Sequence, residues 1–202
     1  MNDPTFARRS LIVALGGATG PGSSTERALA LALNTASQAG CETLLFDGAF
    51  LAALPHYDPA AATRTIEEIE LIDAVRRADG LIIGTPAYHG GVSGLVKNAL
   101  DLLQETARDD RAYLDGVPVG LVVTAGGWQA TGATLASLRS IIHALRGWPT
   151  PLGVAINTGA GPAFLPNGAC AEEKVAEQLA AVARQVVDFA RRAPARTAAM
   201  AV

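Results

Sequence analysis

Cysteine is scarce in this 202-residue chain: there are two, Cys41 and Cys170, in neither a C-x-x-C pair nor a zinc-ligand spacing. At most one disulfide is open to it, which excludes a disulfide-stapled scaffold. Histidines number three, and no His/Cys/carboxylate cluster has metal spacing, so no metal is expected. Cationic residues are not in surplus. Sixteen Lys+Arg against nineteen Asp+Glu leave a net charge of −3, which argues against a nucleic-acid surface. No apolar run reaches the roughly 18 residues of a membrane span, and the opening MNDPTFARRS has no signal-peptide core before Leu11. The expectation is a cytoplasmic protein with neither nucleic-acid nor membrane partners.

Several catalytic patterns are missing too. There is no G-x-S-x-G elbow and no arguable Ser/His/Asp set. No G-x-G-x-x-G begins at Gly16 or Gly17, and no lysine supplies a Walker A loop. No acid–base catalytic residue is named.

What is present is a core. Half of the residues are hydrophobic, enough to bury both faces of a sheet in a single domain, 1–202. Short apolar runs at 11–15, 43–46, 80–83, 117–124 and 152–156 read as buried parallel strands. Helical spacing recurs at 24–38, 64–77, 95–106, 131–145 and 172–191; Ile66, Ile69 and Val75 mark one apolar stripe, Leu95, Ala99 and Leu102 another. This alternation predicts a doubly wound, five-stranded parallel sheet with helices on both faces. The ends, about 1–9 and 193–202, read as loose. Periodicity alone leaves the strand order open between the two common doubly wound arrangements.

Ligands of such sheets bind at the carboxyl ends of the strands, where loops lead into helix N-termini. The loop after the first strand, Gly16 to Glu26, is rich in glycine and hydroxyls and suits a monophosphate; alternatively it is a plain helix start capped by Ser23 or Ser24. The loop after the third strand, Gly84 to Gly91, has Pro86 and glycines that let backbone approach a flat ligand, and Tyr88 to cover it. The loop after the fourth holds Thr124, Gly126, Gly127 and Trp128, the last either walling a pocket, meeting a subunit or packing as a structural tryptophan. His89 reads as a rim group, His56 as part of a covering loop and His143 as a packing residue.

The run Thr85-Pro86-Ala87-Tyr88-His89-Gly90-Gly91-Val92-Ser93-Gly94-Leu95-Val96-Lys97-Asn98-Ala99-Leu100-Asp101 resembles the T/S-P-x-Y-x-x-x-x-S-G-x-x-K-N-x-L-D signature of the NAD(P)H-dependent FMN reductases. Similarity covers nearly the whole chain from Leu11 to Val187. The stretch 116–156 resembles the reductases that serve sulfonate-cleaving monooxygenases. The resemblance implies a flavodoxin-like fold of order 2-1-3-4-5 with FMN over strands one and three. It implies phosphate contacts from Thr19, Ser23, Ser24 and Thr25. Ring contacts would come from Pro86, Ala87, Tyr88, His89, Gly90, Gly91 and Ser93, with Thr124, Gly126 and Gly127 at the pyrimidine edge. One departure stands out: relatives commonly carry an arginine in the phosphate turn, where this chain has Ala18, Thr19 and Gly20.

The implied activity is hydride transfer from NADPH or NADH to FMN. The reduced flavin would go to a partner such as a flavin-dependent monooxygenase, from a homodimer or homotetramer. The alternatives are a quinone or azo reductase that retains FMN, a non-enzymatic electron-transfer flavodoxin, or a domain that has lost its cofactor.

Overall fold

The computed structural model describes residues 8–192. The expected loose ends, 1–7 and 193–202, lie outside them, whereas Arg8 is anchored to Asp79 by a 2.7 Å ion pair. Five parallel strands, β1 (Leu11–Gly16), β2 (Glu42–Phe46), β3 (Gly80–Tyr88), β5 (Pro118–Ala125) and β6 (Trp148–Asn157), form a sheet of order β2-β1-β3-β5-β6. This is the expected 2-1-3-4-5 arrangement. A two-residue strand, β4 (Gly91–Val92), pairs antiparallel with the end of β3.

Alternation along the central strands divides the core into two layers. Leu11, Val13 and Leu15 face a cluster with α2 (Gly48–Ala53), α3 (Ile66–Arg77), α4 (Gly94–Asp101) and α5 (Trp128–Ala144). Ile12 and Ala14 face the other cluster, built on α1 (Ser24–Gln38) and α6 (Glu173–Arg192). Because the chain moves from β1 outward to β2 and then back past β1 to β3, a crevice opens at the carboxyl ends of β1 and β3.

The structure corrects several sequence expectations. β3 does not stop at Ile83 but continues through Pro86 to Tyr88, because β4 folds back to pair Ala87 with Val92 and Tyr88 with Gly91. The turn between them, His89–Gly90, has φ of 53° and 80°, as a two-residue type I′ hairpin turn requires. β6 begins at Trp148 despite Pro149 and Pro151. As an outer strand it has one unpaired side, and a register shift opposite Val119–Leu121 absorbs its extra residues. Helix α5 starts at Trp128, since an extended Gly127 is its N-cap. Helix α4 ends at Asp101 and continues as a 3-10 turn, Leu102–Thr106. In α3, Ile66 is 80% and Ile69 48% exposed; the buried face is Glu68, Leu71, Ile72, Ala74 and Val75. Glu68 is tolerated there because it closes a capping box with Thr65 and pairs with Arg64. His143 is exposed in the last turn of α5 rather than packed.

Candidate functional site

Sheet register brings four loops together. It sets Gly16 beside Gly84, Pro86 beside Thr124 and Ala125 beside Asn157. The loops leaving these strands enclose a cavity of about 270 Å³. Eight expected residues line it: Ser23, Ser24, Thr25, Pro86, Ala87, Tyr88, Thr124 and Gly126. So do Ala18, Ala125 and Thr158, which sequence reasoning did not single out. Among the described residues, no side chain lining it carries a charge. Thr19 and Ser93 instead border an adjoining cavity of about 370 Å³, which shares Tyr88 and includes Leu54, His56 and Leu95. His89 and Gly90 form the hairpin turn and Gly91 begins β4; none of the three lines either cavity, and Gly127 sits behind Gly126 as the cap of α5.

The donors facing the first cavity follow from helix ends. The opening turn of a helix leaves N–H groups without intrahelical acceptors. In α1, Ser23 Oγ accepts from Glu26 N–H, and Ser23 C=O accepts from Arg27 N–H. The N–H groups of Ser24 and Thr25 have no partner among the described residues. At α5 the cap is a glycine, so no side chain closes that N-terminus. Two helix N-termini thus open beside an uncharged cavity, an arrangement that favours anionic oxygens.

Several expected ligand contacts have their side chains engaged by protein. Thr25 and Thr124, 1% and 5% exposed, share a 2.7 Å hydroxyl–hydroxyl bond that joins α1 to the end of β5. Ser93, 3% exposed, donates to Gly17 C=O at 3.1 Å, caps Val96 N–H, and donates its own N–H to Thr85 Oγ1. That chain of bonds sets the start of α4 against the first loop. The close fit explains Gly17: a Cβ there would lie 2.1 Å from Val96 Cγ2. Gly48 and Gly159 fit equally tightly, against the carbonyl oxygens of Ala18 and Gly126.

One wall of the second cavity is a strap that runs from α2 toward α3. Asn98 accepts from Tyr57 N–H and donates to Pro55 C=O, both at 2.8 Å, which holds His56 at the cavity wall. Tyr57 donates its O–H to Glu105, and Arg64 lies 4.8 Å from its ring centroid while pairing with Glu105 at 2.9 Å. Burial, followed by the Glu105 carboxylate, raises the Tyr57 pKa above its ordinary 10.0. Both cysteines are free thiols. Among the described residues no helix is long and apolar enough to cross a membrane.

Residues 10–161 match the NADPH-dependent FMN reductase family. An FMN-dependent NADPH-azoreductase of Staphylococcus aureus is 37% identical over 107 residues, which cover 50% of this chain and 53% of that protein. The chain thus spans about half the length of the curated relatives it matches. Among solved structures, the flavoenzyme NAD(P)H:(acceptor) oxidoreductase of Paracoccus denitrificans superposes with a TM-score of 0.71 at 22% identity, over 90% of this chain and 97% of that one. An NADH:FMN oxidoreductase in its apo form gives 0.68 at 23%, over 90% and 89%. A WrbA-like flavodoxin of Agrobacterium tumefaciens gives 0.60 at 19%, over 90% and 98%. These likenesses show the flavodoxin-like fold.

Proposed function

Because this chain belongs to the NADPH-dependent FMN reductase family, we propose that it is itself an NAD(P)H-dependent FMN reductase. FMN, when bound, supplies a ring that accepts a hydride from the reduced nicotinamide. The residues present suit that group. The free N–H groups of Ser24 and Thr25, with the hydroxyls of Ser23 and Ser24, would hold its phosphate. Pro86, Ala87, Tyr88 and Gly126 would hold its ring between the ends of β3 and β5. The His89–Gly90 turn would present backbone at the rim, with Gly91 and Gly127 behind it. Thr19 and Ser93, at the adjoining cavity, would shape the phosphate-loop side of the site. The open N-terminus of α5 would stabilise negative charge that develops on reduction. No acid–base residue enters, since the protein's task is to bring donor and acceptor together.

The observation that carries this reading is a cavity with unfilled N–H donors and no cation in its wall. Such a site would meet a phosphate with backbone dipoles and hydroxyls rather than a cation in direct contact, which suits FMN as an exchanging co-substrate. Reduced flavin would then serve a flavin-dependent monooxygenase, from a cytoplasmic homo-oligomer. Purified protein should oxidise NADPH or NADH only with added FMN, saturating with it, and should bind riboflavin much more weakly. Equal Kd values for the two flavins would overturn the phosphate assignment. A second reading, an FMN-retaining azo or quinone reductase, draws on the similarity to the azoreductase. Stoichiometric yellow FMN surviving dialysis, with quinone reduction in its absence from the buffer, would favour it.

A further inference from the structure

Among the described residues the cavity wall holds no cation, yet one stands immediately behind the phosphate turn. Arg27, half-buried in the first turn of α1, donates from Nη1 to Leu165 C=O at 2.8 Å. Its other edge faces Gly22: a Cβ built on that glycine would lie 3.3 Å from Nη2 and 3.6 Å from Nε. Among the described residues the Nε–Nη2 edge makes no hydrogen bond. Glu26 holds the same glycine by its N–H, which donates to Oε2 at 2.9 Å. Gly22 itself is left-handed, with φ of 65°. Adjacent residues of α1 therefore present opposite charges to one glycine, directly before the Ser23 cap.

We propose that these two side chains set the affinity of the site for phosphate, Arg27 raising it and Glu26 lowering it. The inference rests on the flavin reading above, and names the residues that give that site its charge. Neither group lines the cavity, so each acts across the turn by Coulomb attraction or repulsion rather than by gripping the ligand. A guanidinium that also clamps the Leu165 segment is held in place without a bound anion, and so is organised before the phosphate arrives. The carboxylate opposes it, leaving phosphate binding moderate instead of tight.

FMN and riboflavin Kd values are to be measured by flavin fluorescence for wild type, Arg27→Gln, Arg27→Lys and Glu26→Gln, at low and high salt. The quantity read is the ratio of the two Kd values, which a loosened fold leaves unmoved because it weakens both flavins alike. Arg27→Gln should reduce the preference for FMN by roughly 5-fold or more, and Arg27→Lys should retain much of it. Glu26→Gln keeps an acceptor for Gly22 N–H and should raise the preference by about 3-fold or more. Both shifts should shrink at high salt, where the Debye length falls to about 3 Å near 1 M. A wild type that binds the two flavins equally overturns the flavin reading, and this inference with it. A wild type that prefers FMN, with a ratio unmoved in Arg27→Gln and Glu26→Gln, overturns the inference alone.

Discussion

The hydroxyl pair Thr25–Thr124 offers a sharp test of how the site is braced. The two Oγ1 atoms are 2.7 Å apart, and both residues are buried. Replacing either with valine substitutes a methyl for a hydroxyl and leaves the other hydroxyl, almost wholly buried, without its partner. The loss of one partner costs the desolvation of the orphaned group, about 1–3 kcal/mol, whereas removing both can be nearly neutral. For a domain of this size each kcal/mol lowers Tm by about 2–4 °C, so each single variant should melt roughly 2–12 °C below wild type. Thr25→Val/Thr124→Val together should recover most of that loss. Urea unfolding of the four proteins gives the coupling directly as a double-mutant cycle. Costs that simply add, within about 0.5 kcal/mol, would refute the pair as a unit. FMN titration of the double variant separates bracing from ligand contact. If the Thr25 hydroxyl serves only Thr124, FMN affinity should stay within about 3-fold of wild type, a difference below 1 kcal/mol.

Two other substitutions follow from local geometry. Gly90→Ala places a side chain at φ 80° and should cost about 1 kcal/mol in urea unfolding, while Gly91→Ala, whose Cβ would meet only Tyr88 O at 3.8 Å, should be close to neutral; equal costs would contradict the type I′ turn. Burial pushes the Cys41 thiol above its usual 9.0, with Arg191 pulling it back more weakly. A raised folded pKa gives stability that is complete below pH 9.0 and declines as the unfolded thiol ionises above it. Urea midpoints between pH 8 and pH 10 should therefore fall more steeply for wild type than for Cys41→Ala, and identical slopes would count against the buried thiol as the cause.

The central layer of the fold was legible because its signals are redundant. β1 and the first part of β3 are unbroken apolar runs, and α1 begins at a hydroxyl-rich turn with Ser23 as its cap. Legibility failed where tertiary partners decide. The extension of β3 through Pro86 depends on β4, a two-residue strand too short to leave a periodic trace. The outer position of β6 lets Pro149 and Pro151 stand in a strand, a fact available only once the order of the sheet is known. In α3, apolar Ile66 and Ile69 suggested the wrong face. The Thr65 N–H and Arg64 supply partners for the carboxylate of Glu68, so a charged residue is buried while two isoleucines are exposed. For the candidate site, residue types pointed to loops that the fold brings together around one cavity, but not to what each side chain does there.

That last gap has a physical cause. Hydroxyls and small residues clustered at strand ends can face a ligand or join one loop to another, and composition is the same in both cases. Here much of the polar chemistry joins loops. Thr25 meets Thr124, Ser93 meets Gly17, and Asn98 holds the strap bearing His56, while Gly17, Gly48 and Gly159 let backbones touch. What remains for a ligand is chiefly backbone: the Ser24 and Thr25 amides and the uncapped start of α5. A site of fixed dipoles needs little reorganisation when charge arrives. On the proposed flavin reading it also leaves charge-based selectivity to residues outside the wall, and Arg27 and Glu26, absent from the cavity lining, are then the positions where substitution should change phosphate preference without dismantling the loops.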